Sequence, residues 1–265
     1  MNLIKDQQDR LIPAVRGFKI ASLNIASLPK HIDELRICMK DKEIDVLAIN
    51  ETRMDDSVPV HSIVIQGYNW ISKNRNRSGG GIGFFVRDSL HFQVRTELND
   101  PVIEILTIQI NKQKVKPFLI TTWYRPPNDP IETMYRFESC LQLIDNDNKE
   151  SIILGDVNYD LLSESLSPQA LELKFITDLY QYDQLITEPT RVAKDTRTLI
   201  DHFYTTDPHN IISKGVSYVQ ISDHYLIYGI KKTKLTKENA KIIEYRDYKH
   251  FNEQDFLQEL QNCLS

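Results

Sequence analysis

SIILGDVN, residues Ser151–Asn158, decides how the rest of the chain is read. Its first four residues, Ser151–Leu154, form a short apolar run closed by a glycine, the pattern of a buried strand. The run delivers Asp156 and Asn158 at its carboxyl end. On extended backbone a spacing of two puts both side chains on one side, so a carboxylate and an amide are expected together at the mouth of a sheet. Such a pair suits a phosphate, a metal ion or an attacking water. It also suits an ordinary Asp/Asn turn, and the company of other stretches separates the two readings.

Upstream, Phe18–Asn24 (FKIASLN) reads as a strand ending in Asn24, after a polar lead-in over residues 1–17. Leu28, Ile32, Leu35 and Met39 recur at helical spacing and predict a helix from Leu28 to about Lys42. Asp45–Asn50 (DVLAIN) is a second buried strand, with Glu51 at its end. Strand, helix and strand thus place an amide and then a carboxylate at successive strand ends, where open α/β sheets build their sites. Tyr68–Ser72 predicts a strand, followed by the basic loop 73–77 (KNRNR). The glycines of Ser78–Val86 (SGGGIGFFV) lead into another apparent strand, so they read as a hairpin turn; a phosphate-cradling loop would need a helix there. Strands at 90–96, 102–110 and 115–124 have short, antiparallel-type connections. The last runs into Trp123, Tyr124 and Arg125 before a double proline stops it.

Residues 130–145 predict a helix with Met134, Phe137, Leu141 and Ile144 on one face, and Leu171–Tyr180 a second one after Pro168. Leu199–Thr205 (LIDHFYT) predicts a strand carrying Asp201, preceded by a basic loop with Arg191, Lys194 and Arg197. Val216–Val219 reads as a short strand, and Asp223 and His224 open a final strand at about Tyr225–Ile230. Residues 232–265 begin as a charged linker and end in an amphipathic helix over Tyr248–Leu264, which leaves 18–231 as the main domain.

At 265 residues, 41% hydrophobic and 26% charged, the chain has the composition of a globular protein. No apolar run is long enough to cross a membrane, and the polar N-terminus is no signal peptide. Three scattered cysteines indicate neither a disulfide framework nor a zinc knuckle and fit an intracellular protein. A net charge of −5 excludes a surface that is basic throughout, so a nucleic-acid partner would be met by local basic loops.

The polar residues at strand ends are Asn24, Glu51, Tyr124, Asp156, Asn158, Asp201, Asp223 and His224. Metal-assisted phosphodiester hydrolysis needs such a set. Hard oxygen ligands such as Glu51 suit Mg²⁺, a carboxylate such as Asp156 can orient or deprotonate water, and Asn158, Tyr124 and His224 can donate to a phosphoryl oxygen. His224 needs an orienting carboxylate, for which Asp201 is the candidate. His202 should point away from Asp201 on the same strand, outside the site.

In this order, LNI (Asn24), INET (Glu51), WYRPP (Tyr124), GDVN (Asp156, Asn158), LIDHF (Asp201) and SDH (Asp223, His224) resemble the endonuclease/exonuclease/phosphatase superfamily, the series shared by DNase I and the apurinic endonucleases. The phrases RSGGGIGFFV, TTWYRPPN, LITEPTRV and ISDHYLIY are similar to the endonuclease domain of non-LTR, LINE-type retrotransposons. That resemblance implies an α/β fold, a four-layered sandwich of two packed, mostly antiparallel sheets flanked by helices. It implies a Mg²⁺-dependent DNA endonuclease, with Mn²⁺ as a substitute, that nicks one strand and leaves a 3′-hydroxyl to prime reverse transcription. Glu51 would hold the metal with Asn24 close by, and Asp223 would assist metal or water. Asp156 would act on the water, Asn158 on the scissile phosphate and Tyr124 on the phosphate or leaving oxygen. Lys73, Arg75, Arg77, Arg191, Lys194 and Arg197 would grip DNA phosphates. A reverse transcriptase downstream and action in the nucleus are the corresponding expectations. Ala26 stands where apurinic endonucleases often carry an acidic residue, which argues against abasic-site repair. The alternatives are a phosphodiesterase for small or lipid phosphates, favoured by the acidic pI of about 5.8, and a catalytically silent binding remnant.

Overall fold

The computed structural model describes residues 11–40, 43–112, 115–194, 196–232 and 251–263. Two compact units divide the chain, 1–234 and 235–265. In chain order the first contains β1 (Phe18–Asn24), α1 (Leu28–Cys38), β2 (Val46–Asn50), β3 (Tyr68–Lys73), β4 (Ile82–Arg87), β5 (His91–Val94), β6 (Glu104–Asn111) and β7 (Phe118–Tyr124). There follow α2 (Glu132–Asn146), β8 (Ser151–Asp156), α3 (Pro168–Leu179), β9 (Asp183–Gln184), β10 (Arg191–Ala193), β11 (Thr196–Thr198), β12 (Asp201–Thr205), β13 (Ile211–Ser217) and β14 (Leu226–Lys231).

Two six-stranded sheets, ordered β13-β14-β1-β2-β4-β3 and β5-β6-β7-β8-β12-β9, make the sandwich. Each has one parallel pair, β1 with β2 and β7 with β8, bridged by a helical crossover (α1 and α2 respectively). The other pairings are antiparallel. The central strands are apolar on both faces because both faces are covered. Between the sheets, Phe18, Ile20, Phe84 and Val86 pack against Ile108, Phe118, Ile152 and Phe203. Outside the first sheet, Leu23, Leu47 and Ile49 meet Leu28, Ile32 and Leu35 of α1. Outside the second, Trp123 and Ile153 meet Phe137 and Leu141 of α2 and Leu173 and Ile176 of α3, with Trp123 stacked on Phe137 at 3.7 Å between ring centroids. Burying each such side chain stabilises the fold by about 1.5–3 kcal/mol. The result is the expected four layers.

Several elements differ from the sequence expectation. The lead-in is not wholly polar filler, since Ile12 is buried in the α1 cluster; residues 1–10 lie outside the described set. Helix α1 ends at Cys38, with Met39 capping it and still buried. Helix α3 begins three residues early because Ser167 caps it, its hydroxyl accepting from the Ala170 N–H at 3.1 Å, with Pro168 in the first turn. The short strand expected at Val216–Val219 is the end of the longer β13, whose alternately exposed residues hide its period. The basic segment around Arg191–Arg197 is a two-stranded hairpin, β10 with β11, where a loop was expected. Gly80 and Gly81, at φ of 67° and 83°, lead into β4 and help close the β3–β4 connection. In the second unit, α4 spans Glu253–Cys263 with Phe256, Leu257 and Leu260 exposed. The linker preceding it lies outside the described residues.

Candidate active site

The carboxyl ends of β1, β2, β7 and β8 lie at one edge of the sandwich, and register fixes which side chains meet there. Asn24 pairs with Asn50 across the parallel β1–β2 ladder, and Asp201 lies opposite Asp156 across β8–β12. Asn24 Nδ2 then donates to Asp156 Oδ2 at 2.8 Å and reaches Glu51 Oε1 at 3.4 Å, tying the sheets together. Tyr124 donates its hydroxyl to the same Glu51 oxygen at 3.1 Å. His224 Nδ1 meets Asp201 Oδ2 at 2.8 Å, while its Nε2 faces Asp156 Oδ2 at 3.9 Å. Asn24, Tyr124, Asp156, Asp201 and His224 are all buried.

Electrostatics follow from this packing. Burial raises the Asp156 carboxyl well above the usual range, and the Asp201 carboxylate facing it adds to the rise. Burial works against a charged His224 ring, but its contact with Asp201 wins, with help from Asp156, and lifts it to about 9. Burial also opposes charge on Glu51; hydrogen bonds and charge from Arg53, with Asn24 and Tyr124, hold it below the ordinary range nonetheless. Burial and the Glu51 carboxylate push the Tyr124 phenol upward, keeping it a donor.

Asn158 differs from expectation. The strand stops at Asp156 and Asn158 takes a left-handed φ of 53°, so the two side chains are not related by strand alternation. Its N–H donates to Asp156 Oδ1 at 3.1 Å and its amide to the Arg125 carbonyl at 2.8 Å, a turn beside the site. Asp223 also departs. His224 turns inward and Asp223 outward, where Arg191 Nε pairs with it at 2.7 Å and it is 46% exposed. His202 is buried elsewhere, bonded to the Tyr159 and Leu199 carbonyls and the Tyr204 hydroxyl, and burial pushes its ring down to about 4.

Among the basic residues, Lys73 ends β3 and gives its ammonium to the Asp100 and Ile103 carbonyls at 2.6 Å each. Arg75 pairs with Glu104 at 2.7 Å. Both are spent on internal bracing, which a run of charges in sequence does not reveal. Arg77, Arg191, Lys194 and Arg197 are exposed.

Two supporting residues escaped the sequence reading. Asn50 is fully buried, donates to Thr122 Oγ1 at 3.0 Å and accepts the Asp156 N–H at 2.8 Å, spanning the two sheets beneath the site. A polar residue closing the apolar strand VLAIN was its signal. Thr190, also fully buried, donates to Asp201 Oδ2 at 2.7 Å and accepts from the Ile200 and Asp201 N–H groups.

The donor set fits a divalent cation. Asn24 Nδ2 brings the Glu51 and Asp156 carboxylates together, and burial, with Asp201 facing it, disfavours the charged form of Asp156, a cost that a nearby cation would offset. Ligand atoms of Asp156, Asp201 and His224 lie within 4.8 Å of one another. Since His224 Nδ1 is committed to Asp201, a hard carboxylate such as Glu51 would make the better Mg²⁺ ligand.

A two-sheet α/β sandwich with carboxylates, an amide and an Asp–His pair at its strand ends defines a DNase I-like phosphodiesterase. The chain belongs to the endonuclease/exonuclease/phosphatase family, whose family model matches residues 21–224. Solved structures of the same fold include the endonuclease domain of TRAS1, a telomere-specific non-LTR retrotransposon, at 15% identity and TM-score 0.68. The 3′ phosphatase NExo (D146N) from Neisseria bound to a product DNA hairpin is similar at 14% and 0.60, and an AP endonuclease from Archaeoglobus fulgidus at 15% and 0.58. Each comparison covers 82% of this chain and all of the other. No curated protein sequence matches. Among the described residues no helix is long and apolar enough to cross a membrane.

Proposed function

We propose that this chain is a divalent-metal-dependent DNA endonuclease that nicks one strand and leaves a 3′-hydroxyl, as a non-LTR retrotransposon does to prime reverse transcription. The carrying observation is the convergence of Glu51, Asn24 and Asp156 with the Asp201–His224 pair on one edge of the sandwich. Similarity to the TRAS1 endonuclease domain supports the retrotransposon assignment.

Asp156, its carboxyl raised by burial, is the base that orients water and takes its proton as oxygen attacks phosphorus. The P–O3′ bond breaks and the departing O3′ takes a proton from solvent, leaving a 3′-hydroxyl on one fragment and a 5′-phosphate on the other. His224, held cationic by Asp201, donates to a non-bridging oxygen as negative charge builds there. Asn158 supplies a neutral donor beside it, and Tyr124, whose hydroxyl donates to Glu51, keeps that carboxylate in place. Glu51, with Asn24 close by, would hold Mg²⁺, or Mn²⁺ in its place, and the ion would supply Lewis-acid stabilisation of phosphoryl and leaving-group charge. Arg77, Arg191, Lys194 and Arg197 position the duplex through its phosphates. A reverse transcriptase is the fitting partner, and the nucleus the fitting location.

The test is nicking of supercoiled plasmid in Mg²⁺, with EDTA and Glu51→Ala controls. Relaxed circles that require both metal and Glu51 are expected. A folded protein that leaves plasmid intact yet hydrolyses small phosphodiesters or phosphomonoesters would move the chain to another branch of the family.

A further inference from the structure

Arg53 has no place in the chemistry described above, yet it makes the shortest contact to Glu51. Its Nη2 lies 2.5 Å and its Nε 3.1 Å from Glu51 Oε2. The other oxygen, Oε1, accepts from Asn24 and Tyr124. A carboxylate offers about four lone-pair directions, and here all four are taken. A cation that uses Glu51 must therefore displace one of these donors. Asn24 and Tyr124 are buried and anchored at strand ends, whereas the Arg53 side chain is 37% exposed at the mouth of the site.

The backbone enforces the pairing. Glu51 and Arg53 both adopt left-handed φ, 51° and 50°, a conformation that costs non-glycine residues energy and persists only under bracing. The brace is the glycine turn before β4, whose Gly81 and Gly80 carbonyls accept the Thr52 and Arg53 N–H groups at 3.0 and 2.8 Å. Between them Thr52 is fully buried. This clamped turn folds the Arg53 side chain back across Glu51.

We propose that Arg53 is an exchangeable counter-ion: it holds Glu51 until a divalent metal arrives, then swings from the carboxylate to a phosphate of the bound DNA. The inference rests on the reading of Glu51 as the metal-holding carboxylate. It assigns Arg53 two successive partners of the same charge, so the protein's affinities for metal and for DNA are coupled through one side chain.

Mn²⁺ binding, followed by electron paramagnetic resonance without DNA, tests the first partner. Arg53→Met keeps the aliphatic stem and removes the donors, and it should bind Mn²⁺ about fivefold more tightly, the scale of losing one competing part-exposed ion pair. Glu51→Gln should lose this binding, and circular dichroism checks that both variants fold. A cleavage-deficient His224→Ala background with a short duplex tests the second partner. There Arg53→Met should lower the salt slope of binding by about 0.9 in Mn²⁺, and not at all in EDTA, where Arg53 stays on Glu51. Equal Mn²⁺ affinity with and without Arg53, or a slope change that ignores metal, overturns the exchange while leaving the metal reading intact. Wild-type Mn²⁺ binding by Glu51→Gln would instead remove the metal reading, and the inference with it.

Discussion

Replacing Thr190 by valine keeps the shape of the side chain and deletes one hydroxyl. That hydroxyl has a determined orientation. It accepts the N–H groups of Ile200 at 3.2 Å and Asp201 at 3.0 Å, so its own proton goes to Asp201 Oδ2 at 2.7 Å. The same carboxylate oxygen receives His224 Nδ1. Thr190→Val therefore takes a partner from two buried N–H groups and one buried carboxylate, and an unmet buried donor costs about 1–3 kcal/mol. We expect a loss of about 2–4 kcal/mol of stability in urea unfolding. We also expect a 10–100-fold slower nicking rate at a temperature where the variant stays folded, the usual effect of removing a group that orients a reacting side chain. Thr190→Ser keeps the hydroxyl and loses a methyl, so it should cost only about 1 kcal/mol and leave nicking within a few fold. A valine variant that nicks at the wild-type rate, or a serine variant as impaired as valine, would refute the orienting role.

Four further outcomes are expected. Gly155 sits at φ 146° with the Trp123 carbonyl oxygen and Asn50 Oδ1 where a Cβ would go, so Gly155→Ala should cost at least about 2 kcal/mol in urea unfolding, since neither neighbour can swing aside. His224 has its ring raised to about 9 in the folded state, so its contribution to stability is complete below the unfolded value of about 6.5 and is lost as pH rises through about 9. Urea midpoints should therefore fall more steeply from pH 6.5 to 9.5 for wild type than for His224→Gln, and parallel curves would contradict the pairing. Neutralising Arg77, Lys194 and Arg197 should lower the salt slope of DNA binding by about 0.9 for each that touches a phosphate. Lys73→Met should leave that slope alone and cost stability instead, because its ammonium serves two backbone carbonyls.

Much of this architecture was written in local pattern. Strands such as Val46–Asn50 and Phe118–Tyr124 are buried throughout and appear in the sequence as largely apolar runs, VLAIN and FLITTWY. Polar residues at their ends mark the edge where the candidate site lies. What stayed hidden depends on partners distant in sequence. Strands β10 and β11 are three residues each and pair with one another and, through Arg191 and Val192, with the distant Asp223–His224 segment. Strand β13 has too many half-exposed residues to show a period. Asp223 and His224 are adjacent in sequence, and only the fold reveals that one turns to Arg191 and the other to Asp201. Lys73 and Arg77 look alike in a basic run, and the carbonyls that capture Lys73 lie 27 and 30 residues further on.

Strand β14 lies between β13 and β1, so the last strand of the domain completes the middle of the sheet that begins with the first. His224 sits just before it, 200 residues after Asn24. A chain on the ribosome that has not reached this segment thus lacks both the strand that pairs with β1 and His224. Its Asp201 has no cationic partner until almost the whole domain has emerged. On the proposed function, a chain that stops short of His224 is therefore expected to leave DNA uncut.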